Sequence, residues 1–114
     1  MLSKLNRFHG HGSVRRAYRQ GRSVRSAIGS LHYYGGVEIK KTKVAVVVSR
    51  KVDKSAVHRN RIRRRVYEQV RLAMPHFKHA TELIFTVYLP ETAIMPSESL
   101  HNEVQQLLKR ANVL

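Results

Sequence analysis

Apolar residues recur at two different spacings along this chain, and the spacing separates predicted strands from predicted helices. The β-branched run Val44–Val48 and the apolar run Leu83–Leu89 are typical of buried strands, and Pro90 ends the second run. From about Ser55 to Pro75, apolar residues return every three or four positions, which predicts a helix that the proline ends. Six apolar residues share an arc of about 140° on this helix: Ile62, Val66, Tyr67, Val70, Ala73 and Met74.

Weaker patterns predict the remaining elements. Ser13 is a suitable N-cap and Gly21 a suitable C′ residue for a short helix between them. Gly35-Gly36 is a turn signal that separates two extended segments. We therefore expect an irregular basic arm at residues 1–12, a helix at 13–21, extended segments at 23–34 and 37–50, and a final amphipathic helix at 97–111.

The predicted elements follow the order α-β-β-β-α-β-α, and their apolar faces require a common core. This order predicts an α+β fold. We expect a two-layer sandwich in which the helices cover one side of a mostly antiparallel sheet. Because the chain has 114 residues and 42% hydrophobic content, we expect one domain spanning residues 1–114.

Charge is distributed very unevenly between the two parts of the chain. The net charge is +15, yet residues 1–65 alone carry eighteen Lys and Arg against two acids, a net of +16. Residues 66–114 carry four Lys and Arg against five acids, a net of −1. Because self-repulsion of this size destabilises a folded protein, the asymmetry indicates a polyanionic partner, with nucleic acid as the first candidate.

The densest basic segment, Arg50–Arg65, places eight Lys and Arg in sixteen residues between a predicted strand and a predicted helical face. No acid lies within four residues of Arg59, Arg61 or Arg63, so a merely solvated helix face is the weaker interpretation. Guanidinium groups match phosphate oxygens bidentately, and Asn60 adds an amide that can contact phosphate, sugar or base. The segment therefore predicts an RNA-binding or DNA-binding surface.

The predicted first helix combines a small apolar face with cationic side chains. Val14 and Tyr18 share that face, and Arg15, Arg16 and Arg19 occupy the rest of the helix. Tyr18, together with Tyr33 or Tyr34, could stack on unpaired bases, as in the recognition of single-stranded RNA. The alternative is that Val14 and Tyr18 simply close the core.

Protein-based catalysis and metal binding are disfavoured by the chemistry of the side chains. The chain has no Cys, and neither His9-x-His11 nor His76-x-x-His79 has a third ligand at useful spacing. Carboxylates are too scarce for a two-metal nuclease site. No apolar run approaches the ~20 residues of a membrane span. We expect a cytoplasmic protein with no membrane partner, although the Arg-rich residues 1–25 leave a mitochondrial-type targeting segment as an alternative.

A resemblance to a known family rests on the basic segment. Residues 49–52 read SRKV and residues 55–64 read SAVHRNRIRR. The chain here resembles the protein subunit of bacterial ribonuclease P, whose hallmark is a strand ending in V-S-K-K, a short loop, and then A-V-x-R-N-R-I-[KR]-R on a helix. The likeness covers nearly the whole chain, and residues 44–68 carry its most diagnostic part.

The resemblance implies a fold with a left-handed β-α-β crossover around the helix that starts near Ser55. It also implies a ribonucleoprotein endonuclease in which a large RNA subunit, using Mg²⁺, cleaves precursor tRNA to make the mature 5′ end. The protein would bind the catalytic RNA and hold the single-stranded 5′ leader, while providing no catalytic residue and binding no metal ion through its side chains alone. We expect a monomeric protein in a 1:1 complex with the RNA.

The resemblance also assigns roles to residues. Arg59, Asn60, Arg61, Arg63 and Arg64, with the adjacent Arg65, would face the RNA. The cleft that holds the leader would have Ser49, Arg50 and Lys51 at its rim, Val46 and Val48 on its floor, and Val14, Arg15, Tyr18 and Arg19 on the first helix. The strand aromatic in this cleft could be His32, Tyr33 or Tyr34. Because the family tends to have Phe where this chain has Val14 and Tyr18, stacking on the leader would be weaker or arranged differently.

Three other functions remain as alternatives. A structural RNA-binding protein of the ribosomal or assembly type shares the charge but needs no cleft for a leader. A protein-only nuclease would cleave RNA unaided through a histidine. DNA binding is disfavoured because no helix-turn-helix partner precedes the basic helix.

Overall fold

Four strands form one mixed sheet in the computed structural model, which describes residues 17–114. Their order across the sheet is β1-β2-β4-β3. The β1–β2 and β2–β4 pairs are antiparallel and the β3–β4 pair is parallel, so the prediction of a mostly antiparallel sheet is confirmed. The strands are β1 (Arg22–Arg25), β2 (Gly29–Tyr34), β3 (Lys43–Val47) and β4 (Glu82–Val87).

Helix α1 (Ala56–Ala73) joins the parallel strands β3 and β4 and thereby forms a β-α-β crossover. The hydroxyl oxygen of Ser55 caps its start by accepting a hydrogen bond from the backbone N–H of His58 at 3.3 Å. The helix gives way to a 3₁₀ turn, Met74–His76, because Pro75 cannot continue the hydrogen-bond pattern. The predicted extent of this helix is confirmed.

Two further helical segments complete the order α-β-β-β-α-β-α. Residues 17–20 are helical, and the N–H of Gly21 donates to the carbonyl oxygen of Ala17 at 3.2 Å. Helix α2 (Ser97–Arg110) is the last helix of the described residues, and its bounds lie within one residue of the predicted ones. The α+β class is therefore confirmed. The predicted arm at residues 1–12, the predicted helix start at Ser13, and Val14 and Arg15 lie outside the described residues.

The hydrophobic core lies between the two long helices and one face of the sheet. Successive side chains of a strand point to opposite faces, so the pairs Val44–Leu83 and Val46–Phe85 place four apolar side chains side by side. Full burial of each such side chain contributes about 1.5–3 kcal/mol. The helices supply Ile62, Val66, Val70 and Ala73 from α1 and Leu100, Val104, Leu107 and Leu108 from α2.

The opposite face of the sheet carries a second, smaller packing surface. Ile84 is fully buried but belongs to this face, and its register partners are His32 on β2 and Ala45 on β3. The Tyr18 ring meets the His32 ring with a centroid distance of 4.8 Å, so the helical residues 17–20 lie on this face. The sheet thus separates the core from a surface that the helical residues only partly cover.

Two predicted extended segments are shorter than expected. Residues 23–34 form the hairpin of β1 and β2, two of the three strands predicted before the long helix, because the chain turns at Ser26, whose N–H donates to Gly29 O at 2.9 Å. At Gly29 a Cβ would lie 2.0 Å from Thr86 O, so only glycine allows this approach of β2 to β4. Residues 37–42 are not strand, since a turn closes from Ile39 N to Gly36 O at 3.0 Å.

None of the helices in the described part of the chain is both long and apolar enough to cross a membrane.

Candidate nucleic-acid interface

The loop between β3 and α1 is fixed by a small hydrogen-bond network around Asp53. One carboxylate oxygen of Asp53 accepts from the backbone N–H of Ser55 at 2.9 Å, and the other lies 3.1 Å from Nδ1 of His58. The Ser55 N–H, supported by the His58 ring, lowers the pKa of the Asp53 carboxyl below its ordinary value. These contacts define where the helix begins relative to the exposed loop residues Ser49, Arg50 and Lys51.

Arg59 is directed back onto this loop. Its guanidinium donates to the carbonyl oxygens of Asp53 and Lys54, both at 2.9 Å. Because these two donors are already used by the protein, Arg59 has less capacity for phosphate than its position in the sequence indicated.

Arg65 is likewise engaged within the protein. Its guanidinium donates to the carbonyl oxygen of Thr92 at 2.6 Å and to that of Met95. These acceptors lie in and just after the 3₁₀ turn Pro90–Ala93, which precedes α2. Arg65 therefore ties the middle of α1 to the segment from which α2 begins.

Arg61 and Arg64 are the exposed arginines on the first half of α1 that remain available. Within residues 17–114, the side chain of neither has a hydrogen-bond or ion-pair partner. Both line a groove of about 440 Å³ between α1 and α2, which we call the α1–α2 groove; it is lined by Arg61, Arg64, Arg65, Glu68, Gln69, Ser97 and Leu100. Glu68, the one acid among the described residues that line it, pairs with Arg71, whose guanidinium lowers the pKa of the Glu68 carboxyl. The groove is therefore positively charged.

A second groove of about 500 Å³ lies along another side of α1, and we call it the Val57–Tyr67 groove. It is lined by Val57, Asn60, Arg63, Arg64 and Tyr67. Arg63 donates to Oδ1 of Asn60, and the Tyr67 hydroxyl accepts from the backbone N–H of Val46 at 3.2 Å. Arg64 lines both grooves, so the two form one continuous cationic surface around the start of the helix.

On the other face of the sheet, where the cleft for the leader is predicted, the Tyr18 ring contacts the His32 ring. The ring planes meet at 60°, and Nδ1 of His32 is buried with no hydrogen-bond partner in the described part of the chain. Tyr33 points to the opposite face and packs against the core, and the hydroxyl of Tyr34 donates to Glu38. Of the three strand aromatics considered from sequence, His32 is therefore the one beside Tyr18. Arg19 follows Tyr18 and is exposed.

The expected position of Val46 and Val48 on the cleft floor is wrong. Both are only 6% exposed and belong to the core cluster beneath the helices. Val47, which is 41% exposed, and Ala45 lie on the same face as His32 instead. Because apolar and polar residues do not alternate in this run, the sequence could not show whether the odd-numbered or the even-numbered side chains face the core. The register of β3 with β4 shows that the even-numbered ones do.

The described residues contain no group of three or more His, Cys, Asp or Glu side chains that could hold a metal ion.

Comparison with known proteins gives one consistent result. The family model described as Ribonuclease P matches residues 2–112. A ribonuclease P protein component of Chloroflexus aggregans is 32% identical over 113 residues, covering 99% of this chain and 82% of that protein. One from Symbiobacterium thermophilum is 31% identical, covering 99% of this chain and 96% of that protein. One from Chloroflexus aurantiacus is 43% identical over 68 residues, a match that spans only 50% of that protein's length.

Solved structures agree with the fold. The RNase P protein of Staphylococcus aureus superposes with a TM-score of 0.82 at 25% identity, covering 96% of this chain and 98% of that one. The RNase P protein of Thermotoga maritima gives a TM-score of 0.77 at 17% identity, covering 91% of this chain and 96% of that one, and supports the fold alone.

Proposed function

This chain belongs to the ribonuclease P family, the protein components of a tRNA-processing endoribonuclease, and we propose that it binds the catalytic RNA and the 5′ leader of precursor tRNA on two separate surfaces. The observation that carries the proposal is that the sheet lies between two separate candidate surfaces. The α1 grooves lie in the helical layer, whereas the Tyr18–His32 contact lies on the opposite face.

The surface proposed for the catalytic RNA is the start of α1. Arg61 and Arg64 are exposed and face no partner within residues 17–114, so phosphate can use their full donor sets. Binding would be dominated by charge neutralisation and counterion release. Its role in the reaction is to hold the RNA in its active geometry, since the RNA subunit carries out the cleavage.

The surface proposed for the leader is the cleft beside Tyr18 and His32. Stacked or edge-packed rings give unpaired bases a surface that accepts any sequence. Ala45 and Val47 extend this face to the edge strand β3, and the exposed Arg50 and Lys51 follow where that strand ends. A chain of leader nucleotides would thus have rings on one side and cations at the rim, which raises the affinity for the substrate before cleavage.

Mg²⁺ is assigned to the RNA rather than to this protein. The carboxylates near the helix start are already used, because Asp53 binds Ser55 and His58 and Glu68 binds Arg71. These residues do not fit a magnesium site held by protein side chains, and the ion is expected on RNA phosphates. The protein would contribute by neutralising the charge of RNA phosphates near the Mg²⁺ ions. We further propose a 1:1 complex of protein and RNA that acts in the cytoplasm.

Reconstitution tests this function directly. The full-length protein is mixed with a bacterial ribonuclease P RNA at low Mg²⁺ concentration, and cleavage of precursor tRNA at the mature 5′ end is measured. We expect stimulation by the wild-type protein and much less by an Arg61→Gln, Arg64→Gln double variant. Absence of stimulation by the wild-type protein, or tight RNA binding that never affects 5′ cleavage, would instead indicate a structural RNA-binding protein.

A further inference from the structure

The Val57–Tyr67 groove has a lining that phosphate binding alone does not explain. Val57 is 71% exposed on the first turn of α1, directly beside cationic residues. The Tyr67 hydroxyl accepts from Val46 N, which fixes its ring at the edge of β3. The exposed valine and the anchored aromatic ring form an apolar wall. Binding of a phosphate requires only the arginines and does not explain this wall.

The Asn60 amide in this groove has a defined orientation. Arg63 can only donate, so the Asn60 atom that meets its guanidinium is the carbonyl oxygen Oδ1. The amide nitrogen therefore presents its two N–H donors elsewhere. The Tyr67 hydroxyl already accepts one bond, and its own hydrogen finds no acceptor among residues 17–114.

The polar atoms left available in the groove are therefore donors: the Asn60 amide N–H, the Tyr67 O–H and the guanidinium of Arg64. Among residues 17–114, no acid lines the groove. A ligand that fits must have a flat or apolar part for the wall, hydrogen-bond acceptors for the amide, and negative charge for the arginine. An unpaired nucleotide meets all three requirements, because its base offers ring faces and acceptor edges and its phosphate is anionic.

We propose that the Val57–Tyr67 groove binds one unpaired nucleotide of the catalytic RNA, with the base against Val57 and Tyr67 and an acceptor on its edge bonded to the Asn60 amide. This inference rests on the proposed function and adds a base-specific contact to it. The catalytic RNA is chosen over precursor tRNA because Arg64 joins this groove to the α1–α2 groove in the helical layer, whereas the leader cleft lies across the sheet.

The test combines chemical probing of the RNA with equilibrium binding. Val57→Ala removes two methyl groups from the wall, so we expect binding about fivefold to fifteenfold weaker. The dependence of affinity on salt should not change, since no charge is lost. Asn60→Asp keeps an oxygen for Arg63 but replaces the donors with an acceptor, and we expect binding about tenfold weaker. In both variants, one unpaired nucleotide of the catalytic RNA should lose its protection from base-modifying reagents.

Matched controls separate this effect from general changes. Leu72→Ala removes apolar surface from the same helix outside both grooves, where the side chain is 52% exposed. Asn102→Asp makes the same charge change on the exposed side of α2. Both controls should retain the protected nucleotide and bind within about twofold of wild type, because neither residue is among those that line the α1–α2 groove or the Val57–Tyr67 groove.

Several results would overturn the inference. One is an affinity of Val57→Ala for the catalytic RNA that equals the affinity of Leu72→Ala. Another is that the variants change chemical protection only along the backbone of RNA duplexes and at no unpaired base. A nucleotide that becomes protected in precursor tRNA instead would show that the assignment to the catalytic RNA is wrong. If the wild-type protein neither binds this RNA nor stimulates cleavage, the proposed function itself fails. If wild type does both and the groove variants behave like the controls, only this inference fails.

Discussion

The arginines of α1 should differ in how their removal changes the salt dependence of RNA binding. Arg61 and Arg64 face outward without partners within the described range, whereas Arg65 donates to the carbonyl oxygens of Thr92 and Met95. Each phosphate contact contributes about 0.7–0.9 to the slope of log affinity against log salt concentration. The Arg61→Gln, Arg64→Gln double variant should therefore lower the magnitude of the slope by about 1.4–1.8.

Arg65→Gln should give the opposite pattern. Loss of its two charge-assisted hydrogen bonds should lower the unfolding free energy by on the order of 2 kcal/mol. This figure is at the low end of the range for two such bonds, because the side chain is only half-buried. The melting temperature should fall by roughly 5–10 °C, as for a domain of this size. The slope should change by much less than one phosphate contact, because this guanidinium acts inside the protein.

The assay is equilibrium binding to a ribonuclease P RNA over a series of salt concentrations, with thermal unfolding of each variant in parallel. Binding is measured well below each melting temperature so that unfolded protein does not contribute. Arg110→Gln is a control for charge at a distance, since it lies at the end of α2 near Arg25. The reasoning is refuted if Arg65→Gln lowers the slope as far as Arg61→Gln does, or if the double variant leaves the slope unchanged.

Three further outcomes are expected. Tyr18→Leu should weaken binding of precursor tRNA with a 5′ leader by about 1–2 kcal/mol, a typical loss for one stacked base, while leaderless tRNA is unaffected in the same titration. Val46→Ala should lower the unfolding free energy by about 1–3 kcal/mol in denaturant titrations, whereas Val47→Ala should change it by less than about 0.5 kcal/mol. Because the folded-state pKa of Asp53 is lowered, its stabilisation is present above the unfolded pKa and is lost as pH falls through the folded pKa. We therefore expect wild type to melt at a higher temperature than Asp53→Asn near neutral pH, and this difference should shrink as the pH is lowered. A difference in melting temperature that stays constant from neutral to acidic pH would contradict this.

The extent to which sequence determined the fold can be seen at α1. Its start, end and buried face were predictable because Ser55, Pro75 and the apolar arc are local signals. The positions of Val46 and Val48 were not, since five consecutive apolar residues carry no alternation and the register with β4 decides which side chains face the helices. The choice among His32, Tyr33 and Tyr34 depended on the same kind of pairing information.

The roles of the arginines were hidden for a different reason. Arg59, Arg61, Arg64 and Arg65 are chemically identical and closely spaced, yet the acceptors of Arg65 lie 27 and 30 residues later in the chain. Backbone carbonyls leave no mark in a sequence, because every residue has one. Only the packing of the 90–95 segment against α1 shows which guanidinium groups the protein uses itself.

Some arginines of this segment bind within the protein and others remain exposed, and this difference explains how a segment so rich in cations can present a defined surface. A free arginine loses side-chain entropy when it binds phosphate, and a mobile backbone would add to that cost. Arg59 holds the β3–α1 loop to the helix and Arg65 holds the start of α2 to it, so the backbone that carries Arg61 and Arg64 is fixed before RNA arrives. The same loop carries the exposed residues Arg50 and Lys51, which we propose lie at the rim of the leader cleft. Arg59 therefore fixes the helix start relative to this loop, and we expect its loss to weaken both proposed RNA contacts together.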